Sequence, residues 1–88
     1  MIPTFEHAVA DQMKDPGSAK FRNTKVIIDE DGSDALCGDI NAKNSYGGYT
    51  GFISFYAPLI SLGKAYTAVV WLSEKVSYET VRKKCGYS

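Results

Sequence analysis

The chain is short of the groups on which chemistry usually runs. It has one histidine, two cysteines and no surplus charge, with ten basic and ten acidic residues among 88. A single histidine, His7, leaves little for acid–base work, and a zinc site would need carboxylates at unsuited spacing. Two cysteines allow one bridge and no metal cage. Zero formal charge argues against general nucleic-acid binding, which normally shows as a basic excess or stripe. No apolar run reaches the length of a membrane span. Residues Met1 to His7 lack both a basic segment and an apolar core, so no signal peptide is read there. The expected compartment is the cytoplasm if Met1 is the natural start, and the periplasm or envelope if a leader has been removed.

Cofactor and nucleophile motifs are missing too. There is no Gly-x-Gly-x-x-Gly, phosphate-binding loop or His-Glu-x-x-His, and no cofactor is expected. The one Cys–His combination that could act as a nucleophile pair is Cys37 with His7. His7 falls on the outer side of its helix, away from Phe5 and Val9, so no catalytic residue and no enzyme activity are expected. The acidic run Asp29 to Asp34 invites a calcium reading, but the loop pattern would need an acid where Ile40 stands. A solvated turn accounts for it better, and no metal site is assigned.

What is present suits one folded domain over residues 1–88. The chain is 44% hydrophobic and 23% charged, which excludes disorder as the default. Phe5, Val9 and Met13 recur at helical spacing and predict a helix of about three turns, with Pro3 in its first turn. Asp15-Pro16-Gly17 ends it, and Ser18 caps a short turn that delivers Phe21 to the core. Strands are predicted over Lys25–Asp29, Ala35–Asn41, Gly51–Ala57 and Tyr66–Leu72. Asp29–Asp34 makes the first turn, and Pro58 with Ser61–Lys64 leaves the third strand. In the second strand Leu36, Gly38 and Ile40 share one face, and Cys37, Asp39 and Asn41 the other. Tyr66–Leu72 is apolar on both sides, so it is expected to be central or partly covered by a helix. Ser77 opens a short helix that turns Tyr78, Val81 and Cys85 inward, and Gly86 stops it. The expected class is α+β: a four-stranded, mainly antiparallel sheet with a helix at each end.

The most specific stretch is Cys37 to Phe52. It passes from a strand through Asn44-Ser45-Tyr46-Gly47-Gly48-Tyr49 and leaves by Gly51 into an aromatic strand. Gly47 and Gly48 are expected to carry the loop through positive φ, with Gly51 as a third structural glycine. Tyr46 and Tyr49 bracket the pair. Rings held on a stiff loop suit a binding surface, although folding back to cap the core is the better account for at least one of them.

This stretch, together with Asp15-Pro16-Gly17-Ser18-Ala19-Lys20-Phe21, resembles a pattern found in small phage-encoded proteins and bacterial envelope or lipoprotein-like proteins. Those proteins share an Asp-Pro-x-Ser-Ala-x-Phe segment. It precedes Cys-Gly-x-(Val/Ile)-Asn-Ala-Lys-Asn-Ser-(aromatic)-Gly-Gly-Tyr-Thr-Gly-(aromatic). Gly17 departs from the pattern, where an acidic residue is usual. The resemblance implies a fold and a context more than an activity.

Three function classes follow. The first is a non-enzymatic accessory factor that binds, and so inhibits or modulates, a host protein through Lys43, Asn44, Tyr46 and Tyr49. The second is an envelope domain held by a disulfide, with an unknown ligand. The third is a small-molecule binder using the Asn41–Tyr49 patch. For Cys37 and Cys85 two readings stand: a staple from the last helix to the motif strand, or two buried thiols. Proximity is expected, with oxidation set by compartment.

Overall fold

The computed structural model describes residues 2–29, 31–43, 48–49, 51–73 and 76–86. In chain order it runs α1 (Ile2–Ala10), a 3₁₀ turn (Pro16–Ser18), β1 (Lys20–Ile28), β2 (Asp34–Asn41) and β3 (Ile53–Ser61). Then come β4 (Tyr66–Ala68), β5 (Trp71–Leu72) and α2 (Tyr78–Lys84). The class is α+β, as the patterning predicts. The sheet order is β1-β2-β3-β4, all antiparallel, and β5 also pairs with β3.

The first helix is shorter than the spacing of Phe5, Val9 and Met13 predicts. After Ala10 the backbone tightens, with Gln12 N–H donating to Val9 O and Met13 N–H to Ala10 O. Met13 still packs on the core from that tightened turn. Phe5, Ala8 and Val9 are buried against Leu36, Ile40 and Phe55 of the sheet. The Phe5 ring meets Tyr66 edge-on at 5.0 Å, which sets α1 over β4. Each such large side chain, fully buried, contributes roughly 1.5–3 kcal/mol. This is the main core.

β1 begins at Lys20, earlier than predicted. Lys20, Phe21 and Arg22 pair with Asn41, Ile40 and Asp39, and then the register shifts before Lys25. The irregularity carries Asn23 at φ 55° and hides the strand's alternation from a sequence reading. Thr24, inside it, donates to Glu6 Oε2 at 2.7 Å and ties α1 to β1. Gly38 lies beneath: a Cβ there would sit 2.9 Å from Thr24 Cα, so only glycine lets the bulged strand pass.

Pro58 does not end β3. The strand continues to Ser61, and the proline breaks its neighbour instead. Leu59↔Ala68 and Tyr56↔Trp71 lie in one continuous register. Opposite Pro58, Val69 N–H donates to the proline carbonyl at 3.2 Å. Proline has no N–H to return that bond, so the predicted Tyr66–Leu72 strand divides into β4 and β5. That strand is also at the sheet edge, not central, although α1 does cover β4.

The second face of the sheet holds a smaller core of Ala35, Cys37, Tyr56, Val81 and Cys85. α2 supplies its lid. Ser77 caps the helix by accepting from Thr80 N–H at 3.1 Å, and Gly86 follows its last turn. Val81 and Cys85 face inward as predicted. Tyr78 does not: it is 55% exposed, because the helix rolls Val81 rather than its first residue onto the sheet. Cys37 and Cys85 are bonded, S–S 2.07 Å, with Cα atoms 5.9 Å apart.

Candidate functional site

Antiparallel partners share a face, so the register maps the second face across β1, β2 and β3. Cys37, Asp39 and Asn41 point the same way as Lys25, Arg22 and Lys20 on one side and as Tyr56 and Ser54 on the other. α2 is only seven residues long and covers the Cys37–Tyr56 end. The Asp39–Asn41 end is left without a helix among the described residues.

At that open end the two motifs of the sequence meet on one side chain. Ser18 Oγ donates to Asp15 O at 2.7 Å and accepts from Lys43 N–H at 2.9 Å. The Tyr49 hydroxyl donates to Ser18 O at 3.0 Å, and Tyr49 bridges Lys43 on the backbone. Tyr49 therefore folds back, as the capping reading expects for one ring. It does not cap the core, because its tip is tied to the 3₁₀ turn while the residue stays 42% exposed. Its ring has Lys20 Nζ 5.2 Å and Lys43 Nζ 5.9 Å from its centroid. Beside it the Arg22 guanidinium lies 4.2 Å from the centroid of Phe52. Arg22 Nε also donates to Asp39 Oδ2 at 3.2 Å, and Asn23 and Ser54 hydrogen-bond the same carboxylate. The result is a cationic and aromatic surface with its rings held in place.

Of the residues singled out from sequence, Lys43 and Tyr49 come together here. Asn44, Tyr46 and Gly47 lie outside the described residues. Gly48 has open space where a Cβ would stand, and Gly51 has φ 98° with its N–H donating to Asn41 Oδ1 at 3.2 Å. The positive φ visible in this segment is thus at Gly51. Sequence reading missed Lys20, Arg22 and Phe52. Lys20 and Arg22 lie before the point where β1 was expected to start, and Phe52 was read only as part of the third strand.

The covered end has different chemistry. Tyr56 is buried and donates to Asp29 Oδ2 at 2.6 Å. Burial first, and that bond second, push the phenol up to about 12. A hollow of about 410 Å³ opens there between Ile28, Asp29, Asp31, Tyr56, Lys83 and Lys84. Among the described residues, none of the Asn41–Tyr49 patch lines it. In the adjoining turn Ser33 N–H bonds the Asp31 carboxylate and holds it below its usual range. Cys37 is sealed in the disulfide, and His7 sits 79% exposed on α1 beside Asp11, so those two do not form a nucleophile pair.

No known protein family, curated protein or solved structure matches the chain.

Proposed function

We propose that this is a non-enzymatic accessory domain that binds a host protein through the open end of its second sheet face, inhibiting or modulating it. One observation carries the reading. Among the described residues α2 leaves the Asp39–Asn41 end of that face without a helix, and this end presents Tyr49, tied through its hydroxyl, and Phe52 beside Lys20, Arg22 and Lys43. Pre-ordered rings lose little entropy on binding, and such residues concentrate interface energy. Asn44 and Tyr46 belong to the proposed surface by sequence. The resemblance to phage-encoded proteins supports a mobile-element origin and a host target. Affinity capture from the native source, with intact protein and a Tyr49→Ala variant in parallel, tests the reading. A partner held by the first and lost by the second, at equal melting temperature, is expected. Equal retention by both refutes it.

The disulfide favours a second reading, in which the same domain works in the periplasm or envelope. Stable structural bridges belong to oxidising compartments, and this one closes a separation of 48 residues. Rapid thiol alkylation in native cells decides it: blocked cysteines are expected, and two labelled cysteines exclude it.

A further inference from the structure

We infer that the partner offers an acidic segment to this surface, with carboxylates received by Lys20 and Lys43 around Tyr49. This rests on the protein-binding reading above and adds the partner's chemistry. Both ammonium groups are brought to one ring, at 5.2 and 5.9 Å from its centroid. A cation over an aromatic face keeps N–H donors for another acceptor. Neither lysine has a carboxylate within ion-pair distance among the described residues. Of the acids near this end, Asp39 is already taken by Arg22, Asn23 and Ser54, and Asp15, in the turn that holds Tyr49, forms no ion pair among the described residues.

The charges at the other end of the hairpin balance: Asp29 and Asp31 share a hollow with Lys83 and Lys84. Lys20 and Lys43 thus place two positive charges without an ion-pair partner beside Tyr49 among the described residues. Two ammonium groups would displace only about two counterions from a nucleic acid, too few to hold a polyanion at physiological salt. They are equally few for an anionic membrane. A short acidic peptide gains from the same two charges and also from the Tyr49 and Phe52 rings.

The test uses the full oxidised chain, isotope-labelled and titrated with a hexaglutamate peptide. Oligothymidylate and phosphatidylserine vesicles are the competing probes. Amide shifts centred on Lys20, Lys43 and Tyr49 are expected, weakening as salt rises. Lys20→Glu with Lys43→Glu should reduce peptide affinity at least about tenfold at unchanged melting temperature, while Lys→Arg at both sites retains it. Shifts as large at Lys83 and Lys84, or equal affinity for either competing probe, overturn the inference. The double Glu variant is also run in the capture experiment. A partner lost with Tyr49→Ala but kept by the double Glu variant sinks the acidic-segment inference and leaves the binding reading intact. A partner kept by both variants sinks both.

Discussion

The two faces of the sheet are closed by different means. On the first, α1 lays Phe5, Ala8 and Val9 on Leu36, Ile40 and Phe55, with no covalent bond across the interface. On the second, a seven-residue helix covers half the face and is bonded to it at Cys37–Cys85. Helices this short are marginal in water, and α2 buries little beyond Val81 and Cys85. Packing is enough for one face, whereas the other relies on a covalent clamp. That clamp lets a small lid persist where few side chains are buried beneath it.

The comparison can be broken from the first face most severely. Phe55→Ala removes a fully buried ring that also meets Phe21 edge-on at 5.9 Å. It should cost about 3–5 kcal/mol, with both faces melting together in a thermal scan. A small, local loss would mean that the first face is not the principal core.

Cys85→Ser should cost about 2–4 kcal/mol, the entropy of a long closed loop. Here the damage should be one-sided. Hydrogen exchange should show residues 78–84 losing protection first, with β1–β3 still protected. Loss of α1 and α2 at the same rate would make the two faces a single cooperative unit.

Gly51→Val tests the open end alone. A Cβ there meets empty space, so the penalty is purely that of holding φ 98°, about 1–2 kcal/mol. An unchanged melting temperature would show that the turn out of the motif accepts another backbone path.

The smallest effect lies at the covered end. Tyr56→Phe removes the bond to Asp29 and should cost about 0.5–1.5 kcal/mol at neutral pH. The sign of the pH effect follows from the raised phenol. Its stabilisation is whole below the ordinary tyrosine value near 10 and fades as pH climbs to about 12. Denaturant titrations should therefore show intact protein losing stability across that window more steeply than Tyr56→Phe. Parallel slopes would remove Tyr56 from the account.

Much of this architecture follows from the sequence alone, because it depends on local periodicity and capping. Alternation placed Leu36 and Ile40 opposite Cys37 and Asp39, and Ser77 with Gly86 bounded α2. The inward turn of Val81 and Cys85 was also readable, and with it the nearness of Cys85 to the motif strand. Tertiary structure decided the features that depend on a neighbouring strand. The bulge over Gly38 exists because Thr24 crosses β2 at that point, and no local pattern marks it. Pro58 looked like an ending, yet a missing N–H breaks only the ladder that needed it, and which ladder that is depends on the pairing. Lys43 and Tyr49 were visible as a pair. Lys20 and Arg22 joined them only through register with Asn41 and Asp39, since charges far apart in sequence become one surface when strands align.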